Sequence, residues 1–273
     1  MDETRGVGEH YGRAGLRERV LAALAAAGID LEQLGPDDLA PLEEFHTLGR
    51  PATLELAELA RVGEGQRVLD IGAGLGGPAR LLAGRFGCRV VALDLTPEYC
   101  EINALLTDSA GLRDRVEIRQ GDALDLPFED GSFDVVWTQH ASMNIADKSR
   151  FYAEAHRVLD TGGRFAFFDV VAGENSPIHF PVPWADDASI NFLVPPQELA
   201  VLLEAVGFRP LAWNDLTGRV ADWLRRRSTR PASERPNIDF QILAHDMPTK
   251  LANQIRNVEE GRVRLLQAVL VRA

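Results

Sequence analysis

The sequence predicts an α/β protein, built on a mostly parallel sheet with helices on both faces. Three observations carry that prediction. Strand-like and helical segments alternate from about Val68 to Gly173, which implies parallel pairing through helical crossovers. A glycine-rich turn, "DIGAGLGG", follows the first strand. Several strands run into a carboxylate or amide at their carboxyl ends, where ligands bind in open α/β sheets.

The elements follow in order. "AGLRERVLAALAAAG" (residues 14–28) places Val20, Leu21, Leu24 and Ala27 at helical spacing, with Gly28 as a C-cap. Residues 34–51 read as a loop-rich connector with turn signals. "PATLELAELARV" opens with Pro51 at a helix N-terminus and carries Leu54, Leu56, Leu59 and Val62. "RVLDIG", "RVVALDL", "RVEIRQGDA", "FDVVWTQH" and "RFAFFDVVAG" read as strands. "PARLLAGRFG" and "PEYCEINALLTDSAG" read as helices, as does "KSRFYAEAHRVLDTGG", closed by Gly162 and Gly163. Residues 174–196 are irregular and proline-rich; a helix ("PQELAVLLEAVGF"), a strand ("RPLAWNDL"), a mostly helical stretch (217–261) and a final strand ("RVRLLQAVLVRA") complete the chain. Residues 1–50 form a helical cap on one α/β domain over 51–273, with an active-site insert near 174–196 and a helical insert near 217–261. The cap and the first insert are expected to form a lid.

Composition narrows the function. The chain has 273 residues, 45% hydrophobic and 26% charged, with 29 Lys+Arg against 41 Asp+Glu and a net charge of -12. That balance repels a nucleic-acid backbone or an anionic membrane. "WLRRRSTR" (Trp223 to Arg230) is the one basic cluster and suits a solvated helix end. The two cysteines, Cys88 and Cys100, form no C-x-x-C pair, so neither a zinc nor a redox motif is present. The expectation is a cytoplasmic monomer or homodimer with a small-molecule partner, no nucleic acid and no membrane.

The glycine turn poses a choice of ligand. Gly72, Gly74 and Gly77 satisfy G-x-G-x-x-G, which fits a dinucleotide as well as other nucleosides. Asp70 stands directly before the turn. A carboxylate there suits a ligand with an ammonium group and opposes a pyrophosphate, which needs backbone N–H groups and a positive helix end. Asp94 closes the second strand and can accept from both ribose hydroxyls, a device NAD sites share. Asp122 follows the third strand, where it can accept from an adenine amino group. Asp70 and Asp122 favour S-adenosylmethionine (SAM) over a dinucleotide.

"VLDIGAGLGG", "VVALDL", "GDALDLPFEDGSFDVV" and "AHRVLDTGGRF" resemble, in order and spacing, the motifs of the seven-stranded Rossmann-like SAM-dependent methyltransferases. The resemblance covers roughly residues 47–215 and the final strand, and implies a sheet ending in an antiparallel hairpin. "HYGRAGLRERVLAAL", "LAPLEEFHTLGRPATLELA", "WTQHASMNI" and "HFPVPWA" look like the N-methyltransferases of sarcosine and dimethylglycine. The resemblance implies SAM as methyl donor and S-adenosylhomocysteine as product. Gly72 and Gly74 would let the backbone approach the methionine moiety, Asp94 and Leu95 would hold the ribose and adenine, and Asp122 and Ala123 would meet the adenine edge. Gln139 would face the methionine end, with Thr47 and Gly49 in a connector that folds over the methionine carboxylate. Arg50 either pairs with that carboxylate or forms an ion pair with Glu43 or Glu44.

On the acceptor side the candidates are His140, His46 and Tyr11 for catalysis, and Met143, Asn144 and Trp184 for substrate binding. Histidine titrates near neutrality, so His140 and His46 are the base candidates, each equally able to serve only as a hydrogen-bonding group. Trp184 and Tyr11 can face a methylated ammonium through their rings. The segment "TQHASMN" carries no carboxylate, so no metal is expected. The expected acceptor is a small amine of the sarcosine and dimethylglycine type. The alternatives are C- or O-methylation of an apolar or prenyl-like metabolite, and SAM binding without catalysis.

Overall fold

The computed structural model describes residues 3–12, 15–35, 37–229, 238–243 and 245–273. Seven strands form one sheet: β1 (Arg67–Ile71), β2 (Arg89–Asp94), β3 (Val116–Gln120), β4 (Phe133–Gln139), β5 (Leu159–Ala172), β6 (Phe208–Asp215) and β7 (Val263–Arg272). Their order is β3-β2-β1-β4-β5-β7-β6. β1 to β5 pair in parallel, whereas β7 runs antiparallel to both β5 and β6. The last strand is thus inserted between its two predecessors.

Parallel strands covered on both faces need continuous apolar runs rather than alternation. β1 and β4 show this: Val68, Leu69, Ile71, Val135, Val136 and Trp137 are all fully buried. On one face, helices α4 (Arg50–Leu59) and α5 (Gly77–Phe86) contribute Leu56 and Leu82 to the core. On the other, α7 (Lys148–Val158) and α8 (Pro196–Ala205) contribute Phe151 and Leu203. Each such side chain stabilises the fold by about 1.5–3 kcal/mol through burial.

The helix expected to close on Gly162 and Gly163 ends earlier, at Val158. Leu159 is already extended (φ -71, ψ 143) and pairs with Phe133. The ladder then slips until Val135 meets Arg164, and Gly162, at φ +76, accommodates the intervening turn. The glycines therefore serve an irregularity within β5 rather than a helix cap.

The flanking segments converge above the carboxyl ends of the strands. Helices α1 (Glu3–Tyr11) and α2 (Leu16–Ala26) precede a short helix, α3 (Ala40–Glu43), inside the segment read as a connector. Leu16, Val20 and Leu24 share one face of α2 and join a cluster with Ile102 and Leu106 of α6 (Pro97–Ser109). The predicted helical stretch resolves into α9 (Thr217–Ser228) and α10 (Met247–Glu259). Residues 230–237 between them, including the last arginine of the basic cluster, lie outside the described residues, as do Arg13 and Ala14. Within that cluster Arg225 pairs with Asp222 and Glu259, and Arg227 with Asp239.

The insert at 174–196 is tied to α10. Asn257 accepts from the His179 N–H at 2.7 Å and donates to its carbonyl at 2.9 Å. Asn253 donates to the Pro181 carbonyl, and Lys250, fully buried, pairs with Asp186 at 2.7 Å. His10 of α1 lies 3.3 Å from the same Asp186 carboxylate. Among the described residues, no helix is long and apolar enough to cross a membrane.

Candidate active site

A large cavity opens at the carboxyl ends of β1 to β4, where the crossovers leave room for a ligand. Its void is about 1650 Å³ counted out to its open mouth. Its lining runs from the turns after β1 to β4 across to α9 and α10. Of the sequence-predicted site residues, all line it except Gly49 and Arg50. Gly49 instead caps α4, at φ 59.

The turn after β1 is shaped by its glycines. Gly72 sits at φ +74, and a Cβ there would lie 2.5 Å from that of Ala141 in the loop after β4. Gly74 is also at positive φ (+54), but the space its side chain would occupy is open. The first glycine permits close approach of two loops; the second leaves backbone exposed to the cavity.

Two buried polar atoms at this end lack partners. Asp70 is 2% exposed and its Oδ2 accepts no hydrogen bond. Burial, then the charges of Asp94 and Glu44, push its carboxyl up to about 8. Gln139 has its Oε1 engaged by Trp137 at 3.0 Å and Thr53 at 3.3 Å, but its Nε2 donates to nothing. An unmet acceptor and an unmet donor in one cavity match the ammonium and carboxylate of an amino acid. Asp94 holds the turn itself, accepting from the Gly74 N–H at 2.8 Å and the Thr96 N–H at 2.9 Å. Burial raises its carboxyl, and these bonds oppose the rise. Asp122 accepts from the Leu124 N–H at 2.9 Å through Oδ1.

The histidines are more committed than the sequence suggests. His140 sits at φ 51, directly after β4. Its Nδ1 lies 3.1 Å from the Phe168 carbonyl and must donate there. Its Nε2 then accepts, from the Thr47 hydroxyl at 3.1 Å. Burial, and secondarily His46, lowers its pKa to about 3, so the ring is neutral at physiological pH. His46 places Nδ1 3.1 Å from the Thr47 carbonyl and Nε2 2.7 Å from the Glu44 carboxylate. Nε2 also meets the Thr53 hydroxyl at 3.1 Å, so both ring nitrogens are engaged within the protein. Burial alone would raise the Glu44 carboxyl, but hydrogen bonds from His46 and Thr53 hold it below the usual range.

Arg50 takes the second of its two predicted roles. It reaches Glu43 at 3.0 Å and Glu44 at 3.3 Å, and also Asp37, and does not line the cavity.

Of the remaining candidates, Tyr11, Asn144 and Trp184 form one hydrogen-bonded chain. The Tyr11 hydroxyl donates to Asn144 Oδ1 at 3.0 Å, and Asn144 Nδ2 donates to the Trp184 and Ile190 carbonyls at 2.8 Å each. The Trp184 indole donates to Asn191 Oδ1 at 2.8 Å. Asn144 thus ties α1 and the insert to the loop after β4. Burial holds the Tyr11 phenol well above its usual value, so it stays protonated. Trp184 is 1% exposed and packs in the main core, with only part of its surface toward the cavity.

The structure also adds wall residues that carry no sequence signal. Trp223 from α9, Leu243, and Leu251 and Gln254 from α10 line the cavity beside Val7, Met143 and Ile145. Among the described residues, no cluster of His, Cys, Asp and Glu is arranged to hold a metal.

Comparison with known proteins agrees with this geometry. Residues 69–167 match a family described as a methyltransferase domain. The chain is 32% identical to the sarcosine/dimethylglycine N-methyltransferase of Halorhodospira halochloris, over 70% of each chain. It is 31% identical to the glycine/sarcosine/dimethylglycine N-methyltransferase of Actinopolyspora halophila, over 79% of its own length but only 39% of that protein's. In fold it is similar to the geranyl diphosphate C-methyltransferase of Streptomyces coelicolor A3(2), solved with S-adenosylhomocysteine (TM-score 0.70, 16% identity, 100% and 99% coverage). With the glycine turn, the unmet acceptor of Asp70 and donor of Gln139, and a relative matched over most of both chains, this chain belongs to the Rossmann-like SAM-dependent methyltransferases.

Proposed function

We propose that this enzyme methylates a largely apolar small molecule. The observation that carries the reading is the wall of the cavity away from the glycine turn. It is formed largely by Val7, Met143, Ile145, Trp184, Trp223, Leu243 and Leu251, beside Tyr11, Asn144 and Gln254, and among the described residues it presents no Lys or Arg. A carboxylate-bearing acceptor desolvated there would lack a counter-charge, at a penalty of several kcal/mol. Moreover, Asp70, Asp94 and Asp122 make the donor end acidic.

The methyl group rides on a sulfonium, so the leaving group is activated by its own charge. Asp70 would pair with the donor's ammonium, Gln139 Nε2 would donate to its carboxylate, and Asp94 and Asp122 would accept from ribose and adenine. Thr47 borders this end and is held by His140. What remains for the protein is to align acceptor and methyl group and exclude water, the dominant demands of an in-line displacement. Neither histidine has a disengaged ring nitrogen, so the proton that an O–H or N–H acceptor loses on methylation would leave through water at the open mouth of the cavity.

A second reading, methylation of an amine of the sarcosine and dimethylglycine type, is favoured by the named substrates of the Halorhodospira relative. Release of S-adenosylhomocysteine separates the two. The apolar reading expects turnover with phenolic or prenyl acceptors and background rates with sarcosine and dimethylglycine. The reverse ranking overturns it.

A further inference from the structure

The polar side chains around the acceptor half are nearly all engaged within the protein. Tyr11 donates to Asn144, and the Asn144 amide is bonded through both its oxygen and its nitrogen. The Trp184 indole donates to Asn191. Both nitrogens of His140 and of His46 have partners. Such groups fix the wall but have little capacity left for a ligand.

Gln254 differs. It lies one turn beyond Leu251 on the same face of α10, and both line the cavity. It is 4% exposed, yet its amide makes no hydrogen bond among the described residues. The helix around it is fixed: Lys250 pairs with Asp186, and Asn253 and Asn257 bond the insert. Val258 and Met247 bury the same side of the helix in the core. A buried amide at a rigid position, open to a cavity and without a partner, is poised for a ligand's hydrogen-bonding group.

We infer that Gln254 is the specificity-determining residue that reads a polar group, a hydroxyl or carbonyl, on the otherwise apolar methyl acceptor. The inference rests on the proposed apolar acceptor. The primary amide carries one acceptor oxygen and two N–H donors, so either group can be met. An acceptor lacking such a group leaves the amide buried and unpaired, which is how a site discriminates between molecules of equal shape.

The test uses a matched pair of probes, 2-naphthol and 2-methylnaphthalene, titrated into the full-length protein saturated with S-adenosylhomocysteine. Quenching of the tryptophan fluorescence reports binding, since Trp184 and Trp223 border the cavity. The wild-type protein is expected to bind 2-naphthol about fivefold more tightly, the effect of one hydrogen bond. Gln254→Leu should level that preference by weakening 2-naphthol alone, with S-adenosylhomocysteine affinity unchanged. Gln254→Met, close in shape, makes the same prediction should the leucine variant fold poorly. Equal binding of the two probes to the wild type, or a preference that survives in both variants, overturns the role of Gln254 and leaves the apolar acceptor standing. If neither probe binds, the apolar acceptor itself falls, and the inference with it.

Discussion

Asp70 offers the sharpest quantitative prediction. Its carboxyl, buried and pushed up to about 8, is roughly nine-tenths protonated at pH 7 in the ligand-free protein. An ammonium seated against Oδ2 should bring it back toward the ordinary carboxylate range, near 4. The α-amino group of free SAM is mostly protonated at pH 7, so it takes up only about a tenth of a proton. Binding should therefore release roughly 0.8 proton at pH 7. Calorimetric titration with SAM in two buffers of different ionisation enthalpy measures that number directly. Asp70→Asn should abolish the release and weaken SAM by about 10- to 100-fold, the range for a hydrogen bond to a charged group. Stability carries the same sign. The folded pKa lies above the unfolded value of about 4, so the ligand-free protein loses stability as pH rises from ~4 toward 8. Asp70→Asn removes that loss, and its ligand-free melting temperature at pH 8 should exceed the parent's. A binding heat independent of buffer, or a variant that still releases the proton, would refute the placement of the ammonium at Asp70.

Four further outcomes are expected. Gly72→Ala should destabilise the protein by about 1–3 kcal/mol in urea unfolding, because its Cβ would meet that of Ala141 at a positive φ. Asp94→Ala should weaken SAM by about 10- to 100-fold in calorimetry, by loss of the proposed ribose contacts and release of the Gly74 turn. Tyr11→Phe removes the bond to Asn144, so unfolding should register a loss of about 0.5–1.5 kcal/mol and the acceptor KM should rise. His140→Ala should lower kcat more than SAM affinity by freeing Thr47. The wild-type pH–rate profile should show no His140 inflection between pH 5 and 8, since that ring titrates near 3.

The residues proposed for the donor half could be placed beside one cavity because they sit at fixed offsets from strand ends. Asp70, Asp94, Asp122 and Gln139 each fall within two residues of a carboxyl terminus, and the turn after β1 announces itself through glycine. The acceptor half was only partly legible. Trp223, Leu243, Leu251 and Gln254 come from helices far along the chain, with spacing that any amphipathic helix shows. Nothing local marks Gln254 as facing a cavity rather than solvent. The histidines illustrate a different limit. Their residue type suggested a base, but their role depends on partners such as Phe168 and Glu44, set by tertiary contacts. Likewise the end of α7 was misplaced because Gly162 and Gly163 fit a helix cap as well as the slip in β5 that they occupy.

The central claim is that the acceptor is apolar, and one measurement tests it without choosing an acceptor beforehand. SAM carrying a labelled methyl group would be incubated with the enzyme and a metabolite extract of the source cells, then partitioned between water and an organic solvent. An apolar acceptor places enzyme-dependent label in the organic phase, in a neutral product. Label confined to the aqueous phase, in a methylated amino acid, would contradict it.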